Sequence, residues 1–225
     1  MRSSNYASRD SLFGEMPLEG VIGESIESPC HQLFADAGRS IAAGDNQRAQ
    51  NILHAIALMP GIESRYQVQA WYLYRLLGGR PLPELAKRVL GVIVEVGIDK
   101  GDDLLAVYAD RTAHYHNHAG TAVVWKRPNE SLDGLIDSVL QTAVTVVERI
   151  GPWQGMRRPP PRQDYMRLNI LTPSGLIRRR PVRSAPEGQA CEAPGNGRNV
   201  GDGQAYDDGL WTSRRVPVEL TIPQR

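Results

Sequence analysis

The chain has 225 residues, 41% hydrophobic and 23% charged, with a formal net charge of +1 and two cysteines, enough for one sizeable core or two small ones. No run approaches the roughly 18 apolar residues of a membrane helix, and residues 1–30 carry seven charges with no apolar stretch, so no membrane span, no secretory signal and a cytoplasmic location are expected. Cys30 and Cys191 are too few for a disulfide framework or a zinc knuckle. The basic residues are 23 Arg against 3 Lys, a skew that points to a GC-rich bacterial gene. Charge is also split along the chain: residues 1–150 hold 14 basic and 18 acidic residues, while 151–225 hold 12 Arg and 7 acidic residues.

Residues 1–29 are polar and aperiodic, with Pro17 and Pro29 as breakers, and are expected as a disordered leader. A helical module follows over 30–79. Leu33, Phe34, Ala37 and Ile41 fall on one helical face, Gly44-Asp45 turns the chain, and Ala49, Ile52, Leu53 and Ile56 form a second face before Pro60-Gly61. This helical hairpin resembles one tetratricopeptide unit in its Gly44-Asp45 turn, the small Ala49, the apolar Leu53 and the helix-ending Pro60. A third helix, about Glu63–Leu77, turns Val68, Trp71, Tyr72 and Leu76 inward and is suited to cap the hairpin, after which Gly78-Gly79-Arg80-Pro81 marks a boundary.

An α+β domain is expected over residues 80–176. Leu90, Val92, Val94 and Val96 alternate with Gly91, Ile93 and Glu95, a strand apolar on both faces over its first half. Short connections at Asp99–Asp102, Asp110-Arg111 and Ala119-Gly120 join it to Leu104–Ala109, Thr112–Asn117 and Thr121–Lys126 in an antiparallel meander. Leu132, Leu135, Ile136, Val139, Leu140, Ala143, Val147 and Ile150 then define one long amphipathic helix, capped by Ser131, whose stripe must cover the sheet. Arg157–Arg162 reads as an extended crossing segment, and Met166–Leu171 as a fifth strand. In element order this domain resembles the profilin and roadblock class. Residues 177–225 are Arg-, Gly- and Pro-rich without periodicity and are expected as a disordered basic tail, either a genuine extension or the product of out-of-frame translation.

Few residues form a constellation suited to chemistry. Strand alternation puts His114, His116 and His118 on one face, where neighbours roughly 7 Å apart can share a metal. His114 and His116 are therefore the candidate metal ligands, with Glu95 or Asp110 as a third donor. The loop carboxylates Asp99, Asp102 and Asp103 lack the Gly and Glu of a calcium loop, and Gly195–Gly201 fails the dinucleotide spacing. No nucleophile elbow or phosphate-binding Walker motif occurs. The Arg-rich segments carry one aromatic, Tyr165, between Arg157 and Arg183, too few for a nucleic-acid reader.

The leading expectation is a non-enzymatic bacterial protein that binds a protein partner, with Trp71, Tyr72 and Tyr74 as anchors and with no cofactor. Its alternative is a metal-binding protein or metal-dependent hydrolase holding zinc or another divalent metal on His114 and His116.

Overall fold

Apolar residues on both faces of the central strands set the architecture, because each face must be covered by a separate layer. The computed structural model describes residues 9–22, 29–126, 129–155, 157–178 and 181–184. The fold is α+β. Its helices are α1 (Leu18–Ile22), α2 (Pro29–Ala42), α3 (Asn46–Leu58), α4 (Ser64–Leu76), α5 (Pro83–Ala86) and α6 (Glu130–Arg149). The strands are β1 (Gly91–Ile98), β2 (Gly101–Tyr108), β3 (Ala113–His116), β4 (Ala122–Trp125), β5 (Tyr165–Thr172), β6 (Gly175–Arg178) and β7 (Val182–Arg183). They form one antiparallel sheet in the order β4-β3-β2-β1-β5-β6, with β7 also paired to β5.

Strand parity divides the core in two. Ile93, Leu104, Ala106, Tyr108 and Leu171 share one core with Phe34, Leu53, Ile56 and Trp71 of the helical module. Val92, Val107, Ala113, Ile170 and Ile177 meet Ile136, Ala143 and Val147 of α6 on the opposite face. The helical hairpin, the third helix, the meander and the covering helix thus stand as expected. The turn at residues 78–81 does not divide the packing, because the module of residues 30–79 and the sheet of residues 80–176 share that first core.

Helix α4 is the centre of the first layer, not an end cap. Ser64 to Trp71 are buried in unbroken succession, so its polar side chains act as internal spokes. Gln69 donates to the Met16 carbonyl (2.9 Å) and accepts from the Met16 N–H (3.0 Å), and Gln67 donates to the Met59 carbonyl (3.0 Å). Arg65 donates to the Ser11 hydroxyl (2.6 Å), and Ser64 and Asp110 exchange two bonds, 2.7 and 3.1 Å long. Leu76, expected inside, is 64% exposed at the end of the helix.

Two assignments change. Residues 9–22, expected as part of a disordered leader, hold a helical turn (9–13) and α1, and Leu12, Phe13 and Val21 are at most 2% exposed. Their apolar residues are too sparse to show a period, yet they fill the gap beside α4, and the Tyr108 hydroxyl donates to the Leu12 carbonyl (2.6 Å). The start of the tail is also structured: Gly175–Arg178 forms a hairpin with β5 across Pro173-Ser174, and the Ser184 N–H donates to the Asp164 carbonyl (2.8 Å). The remainder of the expected tail lies outside the described residues. Helix α6 starts at Glu130 behind Asn129; Ser131 donates its hydroxyl to the Asn129 side chain (2.8 Å) rather than serving as the cap.

Candidate functional site

On the face of the sheet that meets the helical module, the row Ile93, Glu95 and Gly97 runs from apolar to polar to bare. Glu95 lies opposite Leu104 of β2 and Arg167 of β5 and is fully buried. A charge there is tolerable only if it is paired and hydrogen-bonded. Arg9 donates through Nη2 to one Glu95 oxygen; Arg167 (3.1 Å) and Asn169 (3.0 Å) donate to the other. Arg167 also donates to the Pro159 carbonyl (2.8 Å), tying the crossing segment to the sheet. That segment can approach because Gly97 has no side chain: a Cβ there would stand 2.2 Å from the Arg162 carbonyl oxygen. Arg157 continues the network, paired with Asp10 and, at 3.0 Å, with Glu15, while its guanidinium lies 4.4 Å from the Phe13 ring centroid.

Burial, reinforced by nearby Arg157, pulls Arg9 down to about 10, so it stays charged at neutral pH. Burial raises the Glu15 carboxyl against the pull of Arg157.

Beside this network lies a small cleft of about 100 Å³, lined by Arg9, Asp102, Leu104 and His116 and rimmed by Lys100, Asn117 and His118. Arg9 Nε and Asp102 Oδ2 are 3.9 Å apart, too far for a mutual hydrogen bond, and both are buried without a hydrogen-bond partner among the described residues. Burial raises the Asp102 carboxyl above its ordinary value.

The three histidines differ in their surroundings. His114 and His116 share the face of Ala106 and Leu104, their register partners. The His114 ring meets Tyr108 edge-on at 5.6 Å between centroids. Burial, then the charge of Arg65, lowers both imidazoles, His114 to about 4, so both are neutral at pH 7. His118 lies beyond β3: its backbone N–H donates to Asp103 Oδ1 (3.0 Å) and its Nδ1 stands 3.2 Å from the same oxygen. Asp103 also accepts from the Tyr115 hydroxyl (2.5 Å); burial, then this hydrogen bond, pushes that phenol up to about 12.

Neither expected third donor is at hand. Glu95 is committed to Arg9 and Arg167, and Asp110 accepts from Ser64, from the Thr112 N–H (3.0 Å) and from the Thr112 hydroxyl (2.8 Å). Among the described residues, no group of three or more His, Cys, Asp or Glu side chains is placed to hold a metal.

The three expected aromatic anchors differ in burial. Trp71 is 1% exposed and packs edge-on against His54 and Tyr74 at centroid distances of 5.5 and 5.6 Å, so it is a core residue. Tyr72 and Tyr74 are half-buried against the same core.

An exposed apolar feature lies instead at the far edge of the sheet. Among the described residues, strand β4 is paired on one side only, with β3, and Ala122, Val123 and Val124 are exposed, the two valines by 41% and 46%. Successive residues point to opposite faces, so both sides of this edge are apolar. Helix α6 adds Leu135 (38%) and Val144 (37%), one on each flank of its buried stripe. A second, open groove of about 610 Å³ runs along α6, lined by Lys87, Arg88, Arg111, Asp137, Gln141 and Glu148 among others. Its charges are spent in part on each other, since Arg111 grips Asp137 with two bonds of 2.8 Å.

No protein-family model, curated protein or solved structure matches the chain.

Sequence reasoning missed the Arg9–Glu95–Arg167 network. The signal was Glu95 itself, a charge inside an otherwise apolar run, Leu90–Val96, whose two faces were expected to be covered.

Proposed function

We propose that the chain is a non-enzymatic protein-interaction module of the bacterial cytoplasm, which docks an extended segment of a partner protein along β4. The cytoplasmic part of this reading rests on composition. The observation that carries the rest is the edge: four residues, Ala122–Trp125, with no charge among them, two exposed valines on opposite faces, and no strand on their outer side among the described residues. Edge strands of soluble proteins are normally blunted by charge, proline or a bulge, because their free N–H and C=O groups template pairing with another chain. An extended partner segment would add main-chain hydrogen bonds and place apolar, β-branched side chains beside Val123 and Val124. The partner expected is therefore an uncharged, β-prone stretch.

The test compares tagged full-length protein with the Val123→Lys/Val124→Lys variant and with a control, Val144→Lys on α6, in quantitative capture from the source cell followed by cross-link mapping. Loss of one partner from the β4 variant alone, with cross-links from that partner to residues 122–126, supports the reading. A partner set unchanged by the β4 substitutions refutes it.

A further inference from the structure

The α6 side of the sheet is covered over only part of its area. Directly opposite residues of neighbouring strands share a face, so paired positions form rows across the sheet. The row Trp125, Ala113, Val107, Val92, Ile170 and Ile177 lies under α6. Two positions away along each strand, the same face carries the row Val123, Tyr115, Leu105, Val94 and Leu168, without a charge. Beyond it lies a further row, Asp103, Val96, Met166 and Val182. Val92, Val107, Ala113, Ile170 and Ile177 are buried, whereas every member of the two outer rows is partly or largely exposed, Val123 by 41% and Val182 by 55%. Among the described residues, only Leu168 of these outer rows packs against the α6 core.

The placement of α6 accounts for the gap. Its Asp137 meets Arg111 at the turn between β2 and β3, and its Glu148 carbonyl accepts from Lys87 just before β1, so the helix crosses the strands near one end of the sheet. Leu135 and Asp137 are about 200° apart around the helix, so Leu135, 38% exposed, lies on the flank that faces the uncovered rows.

We propose that this face seats a second copy of the chain, sheet on sheet across a two-fold axis. Size, charge and depth favour that occupant. The face spans six strands, β4, β3, β2, β1, β5 and β7. At about 4.8 Å per strand and roughly 16 Å of uncovered strand length, it offers about 450 Å² per copy, or about 900 Å² from the two sheets. The flanks of the two α6 helices bring the total past the about 1,000 Å² that a specific interface needs. The carboxylate in the rows, Asp103, is spent on the Tyr115 hydroxyl and the His118 backbone N–H, which leaves an apolar face suited to an apolar copy of itself rather than to a charged partner. A helix layer and a packed sheet both stand about 10 Å above a sheet. A copy turned over by the two-fold axis therefore lays its outer rows on these and its α6 beyond the strand ends, where Leu135 of each copy is covered. This face shares only Val123 with the β4 edge and does not depend on the reading of that edge.

Sedimentation velocity of the full chain between about 1 and 300 μM tests the proposal. The weight-average mass should rise from 24.9 kDa toward twice that value. Leu135→Lys and Val182→Glu, both at exposed positions bordering the face, should each raise the dimer dissociation constant at least about tenfold, because each buries a charge in an apolar contact. Val144→Lys, on the opposite flank of α6, and Val124→Lys, on the opposite face of β4, should leave it unchanged. A monomer at every concentration overturns the proposal and leaves the face to a different occupant. A dimer that survives both bordering substitutions overturns it as well, and one lost only with Val124→Lys pairs its copies through the β4 edge instead.

Discussion

Replacing Glu95 with Gln keeps the shape of the side chain and removes only its charge, which isolates the electrostatic part of the Arg9–Glu95–Arg167 network. Glu95 is fully buried, and the side chains of Arg9 and Arg167 are each 6% exposed. The variant leaves two guanidinium groups facing an amide that can accept through one oxygen only, and its NH2 group must point at a donor. Breaking a buried pair in this way costs about 3–5 kcal/mol, chiefly because the surviving charges stay desolvated. A domain of this size has about 5–15 kcal/mol in total, and each kcal/mol lowers Tm by about 2–4 °C, so Glu95→Gln should melt about 6–20 °C below the wild type. Arg9→Met removes one of the two stranded charges, so the double variant should be more stable than the sum of the single effects implies, by about 1–3 kcal/mol. Urea titrations of the four proteins, followed by circular dichroism, measure both quantities. A cost below about 1 kcal/mol for Glu95→Gln, or additive single effects, would show that the network is solvated and not part of the core.

Two further predictions rest on the same architecture. The folded-state pKa of His114, about 4, lies below its ordinary 6.5, so the unfolded chain takes up the proton first; the contribution is complete above pH 6.5 and falls as pH drops toward 4, by up to about 3 kcal/mol. His116 acts in the same direction and Asp102 and Glu15 in the opposite one, so the readout is the difference between wild type and His114→Gln, whose acid melts should lack this component. On the other face, Ile136→Ala should cost about 2–5 kcal/mol, because Ile136 is 3% exposed between α6 and the sheet. Asp137→Ala should cost less than about 1 kcal/mol, because its pair with Arg111 is solvent-exposed. Equal losses in denaturant melts would show that α6 does not cover the sheet.

The sequence alone determined what is local. The positions of Phe34, Ala37, Leu53 and Ile56 at helical spacing, and of Val92, Ile93 and Val107 in strand alternation, were legible because a period of 3.6 or 2 is imprinted by the face each element buries. The short turns between strands fixed the order of the meander for the same reason. What only the tertiary structure decided is which face meets which layer. Nothing within residues 9–22 marks Leu12 and Phe13 as core, since their partners, Val68 and Tyr108 among them, are more than fifty residues away. The histidines show the same limit: spacing put His118 on the strand with His114 and His116, but strand β3 ends before it and its ring pairs with Asp103. The ion network was illegible because it joins Arg9 to Glu95 and Glu95 to Arg167, pairs 86 and 72 positions apart. Periodicity records what a segment buries; only long-range packing determines what is left unpaired.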